Sequence, residues 1–269
     1  MSPPTPVALT RADNLLDFIN AIEYRIARSR EELEKAYALV YREYLKRGYV
    51  KENPSGMRIS IHNAGPQTTT FVAISGSEVV ATATIIPDSP LGLPMDAIYH
   101  EELNQFRAKK LKLCEVSMLA SDTELFQQGV SMMLNSRKLF FVFFLFKLMF
   151  DYAKDALKLD LICITINPKH KLTYDFLMFK DLGGLRTYGS VNGAPAIAEY
   201  LEIATAEDDC RRSAKPGIAK MFFAAKTDPE KFSGKYALTR ADLEYFFQER
   251  TNILTTASKD HLDYLKSCY

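Results

Sequence analysis

The sequence predicts a mixed α/β fold in which helices pack on a central sheet. Three observations predict it. A well-capped amphipathic helix opens at Ser29. Short strand-like segments follow, separated by turn residues. Leu161 to Ile166 is a continuous apolar run, as expected of a strand covered on both faces.

Residues 1–21 read as a lead segment, with a short helix expected over Ala12 to Ile22. Glu23 to Ala27 alternates, with Tyr24 and Ile26 on one face, and predicts a first strand. Ser29 and Glu32 form a capping box, and Leu33, Tyr37, Val40, Tyr41, Tyr44 and Leu45 follow at helical spacing until Gly48 stops the helix. The stretch 50–69 is polar and reads as a loop. Phe71 to Ile74 and Glu78 to Ile86 form a hairpin around Ser75-Gly76-Ser77. After the turn Pro87 to Pro94, Leu111 to Ala120 predicts a fourth strand, with Leu113, Glu115 and Ser117 on one face. A long helix is expected over Ser136 to Leu157, apolar on most sides and therefore buried on several. The fifth strand, Leu161 to Ile166, ends at Asn167-Pro168. A helix over Lys171 to Lys180 closes at Gly183-Gly184, and Ala196 to Ile203 is a last strand. The polar stretch after Ala204 opens an extension, 204–269, with helices expected over Arg240 to Arg250 and Lys259 to Ser267.

The 269 residues suffice for one large domain with extensions, and 47% apolar with 25% charged residues is a globular balance. The net charge of +1, from 34 basic and 33 acidic residues, disfavours a general nucleic-acid binder. No apolar run approaches the roughly 20 residues that span a bilayer, and the N-terminus lacks a signal-like segment. The four cysteines are scattered, which fits a reducing, cytoplasmic setting. HExxH, Cys/His clusters, GxSxG, Walker A and GxGxxG are all absent, so neither a metal nor a permanently bound cofactor is expected.

Three motifs, Tyr37 to Tyr49, Glu115 to Met118, and Asn167 to His170 with Tyr174, Phe179 and Gly184, carry a resemblance over residues 22–203 to the N-acyl amino acid synthase and acyl-homoserine-lactone (autoinducer) synthase branch of the GNAT superfamily. The helix from Tyr37 to Tyr49 is similar to the R-x-x-V-F…G-W signature of autoinducer synthases, with Tyr37 and Tyr49 in place of the arginine and tryptophan. Glu115-Val116-Ser117-Met118 resembles their E-x-S-R strand, with Met118 in place of arginine. Asn167-Pro168-Lys169-His170 with Tyr174, Phe179 and Gly184 is similar to the N-P-x-H…Y…G-F region of N-acyl amino acid synthases. The resemblance implies a GNAT-like sheet whose fourth and fifth strands splay apart, and transfer of a medium- or long-chain acyl group from a thioester to the amine of an amino acid. The stretch from Asp122 to Met132 does not match the glycine-rich loop that holds the pyrophosphate of CoA. This favours acyl carrier protein and its 4′-phosphopantetheine arm as donor over acyl-CoA. An autoinducer synthase is the alternative enzyme, which the missing arginines weigh against. A non-catalytic acyl-binding or carrier-binding module on the same scaffold is the third reading.

Aminolysis of a thioester needs a base, oxyanion donors and an aligned donor arm. The resemblance implies Glu115 as base and Tyr174 as the acid for the departing thiolate. It implies Ser117, Met118, Leu119, Asn167 and His170 along the pantetheine and thioester. Phe141, Phe144 and Leu145, in the Phe-rich helix, would wall an acyl tunnel. Arg137 and Lys138, with Arg107, Lys109, Lys110 and Lys112, would contact the carrier protein and the arm's phosphate. Tyr37 and Tyr41, with Tyr44, would line the amine pocket. Each residue also has a plain structural reading: an ion pair for Glu115, capping for His170, core packing for the tyrosines and phenylalanines, a solvated face for the basic run. The Phe-rich helix has one more, a membrane or protein interface.

Overall fold

The computed structural model describes residues 22–124, 142–213, 222–223 and 226–269. The expected lead segment, most of the Asp122–Met132 stretch, and Arg137, Lys138 and Phe141 lie outside them. Among the described residues seven strands form one sheet in the order β1-β2-β3-β4-β5-β7-β6. They are β1 (Glu23–Ile26), β2 (Thr69–Ser75), β3 (Glu78–Pro87), β4 (Leu113–Ser121), β5 (Leu161–Ile166), β6 (Lys180–Tyr188) and β7 (Ala194–Glu202). Every neighbouring pair is antiparallel except β4 and β5, which run parallel.

Strand alternation sorts side chains onto two faces. The registers put Val72, Thr84, Glu115 and Cys163 on one face and Phe71, Ile85, Val116 and Ile164 on the other. The first face is covered by α1 (Arg30–Lys46) over β2–β4 and by α2 (Asp96–Ala108) over β4–β7. The second is covered by α3, described over 142–156, whose Leu145, Phe146, Met149 and Phe150 are buried against the sheet. Three layers result, and Glu115 faces the seam between α1 and α2.

Helix α1 begins where its sequence dictates. The Ser29 hydroxyl accepts the Glu32 N–H at 3.2 Å. Only this half of the expected capping box forms. The Glu32 carboxylate turns instead to the Arg25 guanidinium, two contacts of 2.8 Å, and to the Arg28 amide at 2.7 Å, which fastens β1 to α1. Gly48, at φ +69, ends the helix as predicted.

Several elements depart from expectation, among them β6, a strand where none is expected between Lys171 and Ala196. Helix α2 lies between the turn Pro87 to Pro94 and the strand expected from Leu111, where no element is expected, although Tyr99, Leu103 and Phe106 have helical spacing. Helix α4 (Lys171–Phe176) is shorter than predicted, and Gly183-Gly184 lies within β6 rather than ending a helix. The reason is steric. A Cβ on Gly183 would stand 2.4 Å from the Tyr99 ring, so glycine admits the α2 tyrosine against the strand. The Tyr99 hydroxyl then lies 2.8 Å from the Gly184 carbonyl and 2.9 Å from that of Ala196.

After α5 (Ala206–Arg212), the C-terminal segment comprises α6 (Arg240–Glu244, continued by a wide turn over Tyr245–Glu249), α7 (Ile253–Thr256) and α8 (Lys259–Cys268). Leu243, Phe246, Phe247 and Leu265 are buried with the outer side of α1, and Phe246 meets Tyr37 edge-on at 5.7 Å. These helices therefore buttress α1 from behind. Among the described residues no helix is long and apolar enough to cross a membrane.

Candidate active site

The site begins with a failure of strand pairing. β4 and β5 pair only over Leu113–Val116 with Leu161–Ile164, and both strands continue beyond that ladder. The divergence has a local cause. Along β3, Thr82 pairs with Ala120 and Thr84 with Ser117, so Met118 and Leu119 together oppose Ala83. Such a two-against-one bulge raises twist and leaves backbone groups outside the ladder. Met118 adopts φ +57, a left-handed conformation that costs about 1–2 kcal/mol for a non-glycine residue. Its surroundings hold it there: its side chain is buried, and the Asn63 amide donates to its sulfur at 3.2 Å.

Where the strands part lies a cavity of about 710 Å³. It passes between β4 and β5 and has two unlike ends. On the α1–α2 side its lining is polar and aromatic: Tyr44, Tyr49, Arg58, His62, Glu115 and Tyr188. On the α3 side it is apolar, from Val142, Leu145, Val116, Ile164 and Ile166, with Tyr174 beside them.

Glu115 is 2% exposed. One carboxylate oxygen accepts the Met95 N–H at 2.7 Å. Burial pushes its pKa up to about 8, against that hydrogen bond and with the nearby Asp96 charge adding to the rise. The Met95 amide is held by an ion-pair strut. Arg107 reaches Asp88 at the end of β3 (2.7 Å) and Asp96 at the start of α2 (2.6 Å), and Asp96 accepts the Leu93 N–H at 2.7 Å. Arg107 is thus an internal brace rather than part of a docking patch. Lys109, Lys110 and Lys112 are exposed but precede the paired end of β4, away from the gap.

Ser117, Met118, Leu119, Asn167, His170 and Tyr174 all border the cavity with Glu115. Asn167 caps the short turn Pro168–His170 through a 3.2 Å contact from the Lys169 N–H. Tyr174 is buried edge-on between Phe146 (6.0 Å) and Phe179 (5.7 Å), and burial raises its pKa strongly. Of the expected tunnel residues, Leu145 lines the cavity, whereas Phe144 packs on Tyr24 at 5.4 Å away from it. Phe141, Arg137 and Lys138 are outside the described residues.

The expected amine-pocket tyrosines need correction. Tyr37, on α1, is 2% exposed and packs on Phe246 in the core. The Tyr41 hydroxyl accepts the Asn53 N–H at 3.1 Å outside the cavity. Helix phase explains this. α1 presents Tyr44 toward the gap, and Tyr49 follows just past the helix end. Sequence reading missed Arg58 and His62, which lie in a loop without periodicity, and Tyr188, which ends a strand masked by its glycines. It also missed Thr165, whose position at the apolar run's end gives no polar pattern. Burial drives the His62 imidazole down to about 4, so it is neutral at pH 7. Tyr188 donates to the Pro94 carbonyl at 2.9 Å.

This arrangement joins a buried carboxyl, a strand bulged at Met118 and Leu119, and an apolar compartment across one gap. Among the described residues no group of acidic, histidine or cysteine side chains is arranged to hold a metal ion.

Residues 35–202 match the family described as N-acyl amino acid synthase FeeM. The solved structure of FeeM, an N-acyl amino acid synthase from uncultured soil microbes, is 33% identical with a TM-score of 0.59, over 70% of this chain and 93% of that one. The acyl-homoserine-lactone synthase LasI is 14% identical with a TM-score of 0.49, over 77% and 96% respectively. An N-acetyltransferase from Staphylococcus aureus Mu50 is 12% identical with a TM-score of 0.43, over 68% and 98%. None of the curated proteins matches.

Proposed function

The chain belongs to the N-acyl amino acid synthase FeeM family and is an acyltransferase of the GNAT fold, and from that premise we propose that it moves a medium- or long-chain acyl group from acyl carrier protein to the amine of an amino acid. The observation that carries this reading is the cavity through the parted strands, with buried Glu115 on its polar side and Leu145 on its apolar side.

In this reading the pantetheine arm lies in the gap, along Ser117–Leu119 of β4 and Asn167 and His170 after β5. The acyl chain occupies the apolar end beside Leu145. The thioester carbonyl meets the bulge amides at Met118 and Leu119, which are preorganised for the oxyanion of the tetrahedral intermediate. Glu115 takes the proton of the acceptor ammonium. The freed nitrogen lone pair attacks the carbonyl carbon, forming the C–N bond as the C=O electrons move to oxygen. Collapse breaks the C–S bond: the thiolate takes a proton from Tyr174, and the phenolate so formed takes the second proton from the former ammonium nitrogen. The products are a neutral amide and a free thiol, with the Glu115 proton passing to solvent. A carboxyl with a raised pKa suits this exchange, because its proton affinity is closer to that of the amine it serves.

Acyl carrier protein is preferred as donor because the Asp122–Met132 sequence lacks a pyrophosphate-binding pattern. Arg137 and Lys138 are assigned to its phosphate and acidic surface. The acyltransferase unit is 22–203, with 204–269 supporting α1, and the setting is the cytoplasm. The test is purified protein supplied with acylated carrier protein or acyl-CoA of equal chain length and a mixture of amino acids, followed by mass spectrometry. An N-acyl amino acid formed faster from the carrier, with the advantage falling as salt rises, supports the reading. No acylated amine from either donor overturns it, and equal rates from both overturn the carrier preference.

A further inference from the structure

Among the described residues one arginine, Arg58, borders the polar end of the cavity without a carboxylate of its own. Arg58 is half-buried, and its guanidinium donates to the Ser190 carbonyl at 2.9 Å. It makes no ion pair with any described residue. The other arginine of the cavity, Arg47, is neutralised by Glu43 at 2.9 Å. Arg58 is also held in place. Its N–H donates to the Tyr37 carbonyl at 3.1 Å, and its neighbours Met57 and Ile59 are buried in the core behind α1.

Its position relative to Glu115 is informative. Arg58 and Glu115 line the same polar end of the cavity, with Tyr44 and Tyr188, so the guanidinium and the carboxyl face one compartment. The Tyr49 hydroxyl, which borders the same end and meets Tyr44 edge-on at 5.7 Å, is buried and has no partner among the described residues. A half-desolvated guanidinium and a buried hydroxyl without a mate both call for an anionic oxygen ligand. An α-amino acid carries an ammonium and a carboxylate on one carbon, matching a carboxyl on one side and a guanidinium on the other.

We propose that Arg58, assisted by Tyr49, is the positioning residue that binds the carboxylate of the acceptor, so that the site selects α-amino acids over amines that lack an anionic group. This deepens the proposed function and rests on it. It also turns the amine: with the carboxylate on Arg58, the nitrogen faces Glu115.

The test compares an amino acid with its carboxamide in wild type, Arg58→Met and Arg58→Lys, titrating acceptor and donor separately. The wild type should favour the acid by about 100-fold in kcat/KM, the scale of one charged contact. Arg58→Met should lose that preference, through a raised KM for the acid, while the carboxamide stays within about threefold and the donor KM is unchanged. Arg58→Lys should recover part of the preference. Four outcomes overturn the proposal. They are a wild type that acylates acid and carboxamide equally, an Arg58→Met loss equal for both acceptors, a preference kept in full, and a loss falling on the donor KM. The last would assign the cation to the donor's phosphate. A wild type that acylates neither acceptor with any donor fails the proposed function instead.

Discussion

Replacing Glu115 with Gln separates chemistry from stability at one position, because the two should move in opposite directions. Gln keeps the shape and can still accept the Met95 N–H through its carbonyl oxygen. It removes the base, so turnover should fall by about 100-fold or more. The stability effect follows from the carboxyl's pKa, about 8 in the fold against an ordinary 4.5. Below pH 4.5 both the folded and the unfolded chain hold the proton. Above 4.5 the unfolded chain releases it while the fold retains it, so rising pH favours unfolding until about pH 8. Over that window the wild type loses about 5 kcal/mol, from 3.5 pKa units at about 1.4 kcal/mol each. Gln does not titrate, so the variant should unfold with little pH dependence from this site and gain on the wild type between pH 5 and 8. Denaturant curves for both proteins at pH 5 and pH 8, beside a pH–rate profile of kcat/KM, measure both effects. The wild-type rate should rise with pH toward a limit set near 8. A stable variant with full turnover would remove Glu115 from the chemistry. Parallel stability curves for the two proteins would show that the carboxyl is not held protonated by burial.

Three further outcomes follow from the geometry. Tyr174→Phe removes only the hydroxyl from a ring packed between Phe146 and Phe179, so kcat should drop about tenfold or more with less than about 1 kcal/mol lost in denaturation, and an unchanged kcat would end its role as acid. Gly183→Ala sets a methyl group 2.4 Å from the Tyr99 ring and should cost about 1–3 kcal/mol by thermal or chemical unfolding, which an unshifted midpoint would contradict. Leu145→Phe should shorten the preferred acyl chain in a chain-length profile, whereas Phe144→Ala should cost about 3 kcal/mol, the low end for a Phe truncation because the ring is part-buried, and leave the profile alone, since Leu145 lines the cavity and Phe144 does not.

Much of the scaffold was legible because its elements carry local signals. The Ser29 cap, the Gly48 stop and the apolar run of β5 each report on a few neighbouring residues. Glu115 was singled out by a resemblance, that of Glu115-Val116-Ser117-Met118 to the E-x-S-R strand, and the structure buries it at the cavity. What sequence did not show depends on contacts between distant segments. Gly183-Gly184 is an ordinary helix stop until Tyr99, from 84 positions earlier, lies on it. Arg107 reads as one charge in a basic run until Asp88 and Asp96 are seen to enclose it. Tyr37, Tyr41 and Tyr44 form a stripe whose useful member is chosen by the helix phase against a sheet with a local bulge. Arg58 lies in a loop with no period at all, and its place is set by a backbone bond to Tyr37.

The short ladder between β4 and β5 gives the sheet a mechanical character. Strands β1–β4 form one leaf and β5, β7 and β6 the other, and the leaves are stitched along only four register pairs. Such a sheet behaves as an open book with a short spine. Stiffness is concentrated where Leu113–Val116 and Leu161–Ile164 are sewn together, and compliance grows with distance from the binding. Glu115 stands on the stitched length, whereas Met118, Leu119 and Asn167 stand on the free margins. A wider guest should therefore part the free margins more than the spine that carries Glu115.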